Sequence, residues 1–245
     1  MHYEAMYRLI APYYEEIFPL KEATLSFIRS FLKGDRSRIL DTGCAVGQLA
    51  AALARDGHDV TGVDLDAAMI ETARKDAANR GLKVDFETMD MMEIDAHFAS
   101  HSFDMALCLG NTMVHLQSPE EIGRFIKKVF DLLKKHGTFI VQVVNYDHVL
   151  AGGITELPVI DTPHVRFERH YIYDRTNHII HFQTRFTLKE EEKHFEDEVL
   201  LYPLTRNELD SLIKAAGFSG AVYYGDFSAN KYTDESPALI AVAGS

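Results

Sequence analysis

The chain has 245 residues, 47% of them hydrophobic, and carries 25 basic against 37 acidic residues for a formal net charge of −12. That length and apolar content suit one large α/β domain, or one domain with an insertion. The negative field repels phosphate backbones and argues against a nucleic-acid partner. The two cysteines, Cys44 and Cys108, read as small buried apolar residues and not as a disulfide framework. The opening Met1-His2-Tyr3-Glu4 is polar and no apolar run of about 18 residues follows, so neither a signal peptide nor a membrane span is expected. A cytoplasmic protein is the expectation.

In chain order, the tyrosine-rich segment Tyr7–Phe18 reads as an opening helix. Arg38–Asp41 is the first strand, followed by the turn Thr42-Gly43-Cys44-Ala45-Val46-Gly47 and a helix to about Asp56. A second apolar strand, His58–Val63, ends in the carboxylate of Asp64, 21 residues after Gly43. A strand, a glycine turn, a helix and an acid at the next strand end together form a nucleoside-binding pattern, with the acid on the ribose hydroxyls. Asp66 caps a helix that Gly81 stops. Val84–Glu87 and Phe103–Leu109 are the third and fourth strands. Ser118-Pro119 opens a helix with Glu121 completing a capping box, an apolar face of Ile122, Phe125, Ile126, Val129, Leu132 and Leu133, and Gly137 as its stop. Thr138–Val144 is the fifth strand.

Three alternating runs follow, Val165–Tyr173, His178–Leu188 and His194–Tyr202, which predict an antiparallel meander. Gly152-Gly153 before it reads as a turn. Thr205 and Glu208 open a last helix that stops at Gly217, and Val222–Tyr224 with Ala238–Val242 close the sheet. The predicted fold is a doubly wound, Rossmann-like α/β sheet of seven strands with an antiparallel β-meander insertion. Its expected parts are an N-terminal helical cap (1–36), a cofactor-binding domain (37–149 and 204–245) and a meander lid over the crevice (150–203).

Two nucleoside cofactors compete for the turn. The dinucleotide fingerprint is G-x-G-x-x-G/A, but Ala45 stands in place of the middle glycine and Gln48 in place of the last small residue, which hinders close approach of a pyrophosphate. The run Asp41-x-Gly43-x-Ala45-x-Gly47 resembles instead the first motif of the class I S-adenosylmethionine-dependent methyltransferases, acidic-x-Gly-x-Gly-x-Gly. The resemblance extends to Met89-Asp90-Met91-Met92 after the third strand. It also covers Leu109-Gly110-Asn111-Thr112-Met113-Val114-His115-Leu116, which is similar to a loop of glycine and sarcosine N-methyltransferases. Tyr14-Glu15 matches the Tyr-Asp of their opening helix.

The resemblance implies S-adenosyl-L-methionine as cofactor, with S-adenosyl-L-homocysteine as product. It implies a cofactor site of Tyr14, Asp41, Gly43, Cys44, Ala45, Gly47, Asp64, Leu65, Asp90, Met91, Leu109 and Gly110. Asp90 takes the adenine amino group and Leu109 contributes its backbone. Tyr14, Asn111 and His115 are the candidates for catalysis or substrate contact, with Tyr7 and Tyr13 behind Tyr14. Each has a structural alternative: Asp90 as a helix cap, His115 as a hydrogen-bonded loop histidine, the tyrosines as packing. The expected partner is a small-molecule methyl acceptor, with an amine nitrogen favoured over an oxygen; a non-catalytic cofactor-binding protein is the further alternative. The twelve histidines show no H-E-x-x-H spacing and no metal is expected, although His170 and His181 could face each other across a hairpin. Nothing in the sequence speaks to oligomeric state.

Overall fold

The computed structural model describes residues 9–245. Tyr7 lies outside them.

Five strands, β1 (Arg38–Thr42), β2 (Asp59–Asp64), β3 (Asp85–Thr88), β4 (Phe103–Cys108) and β5 (Leu133–Val144), run parallel in the spatial order 5-4-1-2-3. Their apolar runs are continuous because both faces are covered by helices. Two antiparallel strands extend the β5 side: β11 (Ala238–Gly244) pairs with β5, and β10 (Ala221–Tyr224) pairs with β11. The order reverses between β1 and β4, and open α/β sheets bind ligands at the carboxyl ends of the strands beside such a switch.

On one face, the helix Pro119–Leu132 buries Ile122, Phe125, Ile126, Val129 and Leu132 against Phe139 and Val141 of β5. On the other, Leu25, Phe27 and Ile28 pack with Leu53, Ile70 and Ala73 over Ile39, Val60 and Leu107. The predicted N-caps form at all three helices. Asp66 Oδ1 accepts from the Ala68 and Met69 amides, and Thr205 with Glu208 makes a full capping box. At the third, Ser118 Oγ accepts from the Glu121 amide, but Glu121 Oε2 reaches past Ser118 to the Gln117 amide, so the box is not completed.

That helix also ends before Gly137. Leu133 takes extended dihedrals and begins β5, and the pairing with β4 slips between Leu133 and Thr138, where His136 turns left-handed at φ 65°. Leu133 is therefore a buried strand residue and not part of the helix face.

After β5 a short helix, Tyr146–Gly152, is capped by Asn145 and ends on left-handed Gly153. The glycine pair is thus a helix stop and not a free-standing turn. Beyond it, β7 (Val165–Asp174), β8 (Ile179–Leu188) and β9 (Lys193–Leu201) form the expected meander, and the two residues Ile160–Asp161 add an edge strand, β6. His170 stands opposite Gln183, and His181 opposite Ile172 with its Nδ1 2.8 Å from Glu198 Oε1, so the two histidines are not a facing pair. A third apolar cluster joins this second sheet to the segment before β1. Ile10, Ala11 and Ile17 pack on Val165, Phe167, Phe186 and Leu188, with Val46 and Met69 at its base.

Candidate active site

At the carboxyl ends of β1 and β2 the chain turns sharply. Gly43, Ala45 and Gly47 all have positive φ, at 73°, 48° and 74°. Glycine is required at the outer two by contact as well as by dihedral. A Cβ on Gly43 would lie 2.4 Å from Thr112 Cγ2, and one on Gly47 would lie 2.5 Å from the Phe86 ring. Ala45 adopts the same left-handed form at some steric cost, and its amide is held by Asp64 Oδ2 at 2.8 Å. The Gly43 and Cys44 amides donate to Val63 O at 2.8 and 3.0 Å. The turn is thereby pinned to the end of β2.

Asp64 also accepts from the Asp66 amide at 3.0 Å through Oδ1. Burial pushes its pKa up and these backbone donors pull it back. Asp41, 4% exposed, is pushed up to about 7, first by burial and then by the charge of Asp64. Two carboxylates in this setting favour a cationic ligand over a phosphate, because a cation relieves their repulsion.

A cavity of about 550 Å³ opens here, within the range of small-molecule sites. Tyr14, Gly43, Ala45, Asp64, Leu65, Asp90, Met91, Gly110 and His115 line it, together with Val63, Asp66, Met69, Met89, Thr112, Leu116, Gln117 and Glu198–Leu200 of β9. Leu65 is 56% exposed, an apolar surface that a flat ring can cover. Asp90 is both cap and lining residue: its Oδ1 accepts from the Met92 amide at 2.8 Å.

Five of the expected site residues do not reach the cavity wall. Asp41 and Cys44 are buried beneath the turn, Gly47 starts the following helix, and Leu109 turns its carbonyl to Thr112 Oγ1 at 2.7 Å. Asn111 departs most from expectation. Its Oδ1 accepts from the Val144 amide at 2.9 Å and its Nδ2 donates to the Tyr146 hydroxyl at 3.0 Å, so its amide braces the loop against β5. Left-handed at φ 68°, Asn111 thereby sets the path that carries Gly110 and His115 to the cavity. Burial depresses the His115 pKa to about 4. Tyr13 packs on Phe186 at 6.2 Å and on His164 at 6.4 Å, inside the cluster between cap and meander. Tyr14 is the tyrosine that faces the cavity, with Phe18 behind it at 5.2 Å.

Thr112, which fills the space above Gly43, lies inside the Leu109–Leu116 motif but had no role assigned to it, and the β9 wall was not signalled by any motif. Both depend on tertiary placement, and only the alternation of β9 hinted that one of its faces is covered.

A family model described as a methyltransferase domain matches residues 39–137. The chain is 26% identical over 223 residues to a glycine/sarcosine N-methyltransferase of Aphanothece halophytica, covering 89% of this chain and 79% of that protein. Several other curated relatives are spanned over about half their length. Among solved structures, the CcbJ methyltransferase from Streptomyces caelestis is similar at TM-score 0.83 and 20% identity, over 99% of this chain and 98% of that one. An S-adenosylmethionine-dependent methyltransferase from Clostridium acetobutylicum is similar at TM-score 0.80 and 17% identity, over 98% of both.

The chain is a class I S-adenosylmethionine-dependent methyltransferase. For an enzyme of this family the donor set is apt. The acid at the end of β2, an apolar side chain beside it and a second acid after β3 can serve a ribose, a purine face and an exocyclic amine. No helix among the described residues is long and apolar enough to cross a membrane.

Proposed function

We propose that this methyltransferase moves a methyl group to the amine nitrogen of a small-molecule acceptor by in-line displacement. The observation that carries the reading is the lining of the cavity. Asp64, Leu65, Asp90 and Met91 come to it from the ends of β2 and β3, Gly110 and His115 from the loop after β4, and Tyr14 and Glu198–Leu200 from the opening helix and β9. S-adenosylmethionine supplies an already activated methyl on a cationic sulfur. The chain then has to orient, exclude water and accept a neutral nucleophile.

In this reading Asp64 binds the ribose, Asp90 the adenine amine, and the Gly43–Gly47 turn makes room for the methionine part. Tyr14 offers a ring face or hydroxyl to the cationic centre. His115, held neutral by burial, accepts or positions the amine without adding a like charge. Residues 150–203 act as the lid of the acceptor site, and 9–36 as its helical cap. Nitrogen is favoured over oxygen by the similarity to a glycine/sarcosine N-methyltransferase and by the lack of a motif base for deprotonating a hydroxyl. The acidic net charge supports a metabolite over a nucleic acid, and the reading places the enzyme in the cytoplasm.

The test is a panel of glycine, sarcosine, simple amines and phenols, with S-adenosylhomocysteine formation as readout. Turnover with amines and none with phenols is expected. Turnover with phenols alone would replace the nitrogen reading by an oxygen one.

A further inference from the structure

Strand β9 is the last of the four-stranded sheet, so one of its edges has no neighbouring strand. The pairing fixes which residues use that edge. In an antiparallel pair, alternate residues turn both backbone groups toward the partner strand, and the residues between them turn both away. The Asp197 carbonyl lies on the β8 side, where Thr184 Oγ1 donates to it at 3.4 Å. The Tyr202 amide, just past the end of β9, turns the other way and donates to Val114 O at 2.9 Å. Glu198 and Leu200, in step with Tyr202, therefore present their amides and carbonyls at the open edge.

That edge is a wall of the crevice. Glu198, Val199 and Leu200 all line the cavity, although successive side chains of a strand point to opposite faces. Val199 packs with Phe182 against the main core. Glu198 holds its carboxylate on the other face, 2.8 Å from both His181 Nδ1 and Gln183 Nε2. Three consecutive residues share one cavity here because the strand offers it their backbone.

Two of the edge amides are used within the chain: Tyr202 donates to Val114, and Glu198 donates to Asp197 Oδ1 at 3.0 Å. Among the described residues no acceptor meets the Leu200 amide, and the Leu200 carbonyl shares its edge. Leu200 lies two residues, about 7 Å, back along the strand from Tyr202. Val114 is followed by His115, so Leu200 and His115 stand on adjoining stretches of the cavity wall. An unpaired strand edge is a template for a further amide. The charge of the cavity selects what that edge can take. Asp64, Asp66, Asp90 and Glu198 line it, no lysine or arginine does, and His115 is held neutral by burial. An anion would meet like charge there, whereas a neutral carbonyl oxygen takes the N–H without that repulsion.

We propose that the open edge of β9 at Leu200 is a specificity element of the acceptor site, its N–H donating to the carbonyl oxygen of an amide carried by the methyl acceptor. The Leu200 carbonyl beside it receives an N–H of the same molecule. The proposal rests on the reading of the crevice as a methyl-acceptor site, and it narrows the acceptor to an amine that also bears a neutral amide.

The probes are acetamide and acetate, a neutral carbonyl and an anion of nearly the same shape. Each is titrated into the full chain, with and without saturating S-adenosylhomocysteine, while backbone amide resonances are followed by NMR. Leu200→Pro removes the N–H and spares the ladder to β8, because proline is tolerated where a strand's N–H faces away from its partner. Leu200→Ala shortens the side chain and keeps the N–H. A saturable shift of the Leu200 amide is expected with acetamide, and a weaker response with acetate. Leu200→Pro should bind acetamide about three- to tenfold more weakly, read at Gly110 and His115. Leu200→Ala should stay within about twofold of wild type, and S-adenosylhomocysteine affinity should hold in both variants. No saturable Leu200 shift in the loaded wild-type enzyme overturns the proposal, whether or not Leu200→Pro folds. So does equal acetamide affinity in a folded Leu200→Pro protein, or tighter binding of acetate than of acetamide at the Leu200 resonance. Failure of S-adenosylhomocysteine to bind the wild type, with the acetamide shift intact, would strike the proposed cofactor crevice and leave the role of the β9 edge standing.

Discussion

Asp64 Oδ2 accepts the Ala45 amide at 2.8 Å, so the carboxylate at the end of β2 and the turn after β1 are held to one another within the protein itself. One side chain thereby has two tasks. It shapes the turn, and it presents its remaining acceptor capacity to the cavity. Preorganisation of this kind lowers the ordering cost when a ligand arrives.

Replacing Asp64 should therefore damage cofactor affinity more than stability. Asp64→Ala is expected to weaken S-adenosylmethionine binding by ~2 kcal/mol, roughly 30-fold, from the loss of charge-assisted bonds. Asp64→Asn keeps an oxygen for the Ala45 amide and should fall between the two. Unchanged affinity in a folded Asp64→Ala protein would remove the ribose role.

The Gly47 position tests the geometry of the turn. An alanine there must adopt φ near 74° and put its methyl 2.5 Å from the Phe86 ring. Gly47→Ala is expected to lose about 1–3 kcal/mol in urea unfolding from overpacking and dihedral strain. A loss below about 0.5 kcal/mol would mean that Phe86 moves aside freely.

His115 links the site to pH. Its pKa falls from 6.5 to about 4 on folding because burial disfavours the charged ring. Between those values the unfolded chain binds more protons than the folded one, so stability rises with pH across that window and is lost on acidification. His115→Asn should flatten the fall in urea stability between pH 6.5 and 4.5. An unaltered slope would show that His115 is not the group responsible.

Tyr14 is argued to act at the reacting centre. Tyr14→Phe should lower kcat with little change in the Kd for S-adenosylmethionine, a split that simple packing would not produce. Equal turnover by the two proteins would leave Tyr14 as a wall of the cavity.

The frame of the sheet could be read from the sequence because its signals are local. Ile39-Leu40 and Val60–Val63 are apolar runs buried on both faces, and Asp66, Ser118, Thr205 and Gly217 mark helix ends by their own backbone chemistry. The misreadings arose where tertiary contacts decide. Gly137 was expected to stop a helix, but Leu133 had already entered the sheet beside Phe103. The helix Tyr146–Gly152 is only seven residues long, too short for a periodic pattern to stand out, and it exists because Asn145 caps it and Tyr146 and Val149 are buried. Asn111 had the right neighbours for a substrate contact, yet its amide meets Val144 and Tyr146, which lie 33 and 35 residues away.

The measurement that bears most directly on this account is calorimetric titration of the protein, freed of co-purified ligand, with S-adenosylmethionine and S-adenosylhomocysteine, and with NADH as control. The account predicts micromolar binding of the first two at one site per chain, no binding of NADH, and loss of affinity in Asp64→Ala. Binding of NADH alone, or no binding of either sulfur nucleoside by folded protein, would contradict the assignment of the crevice between β1, β2 and β4.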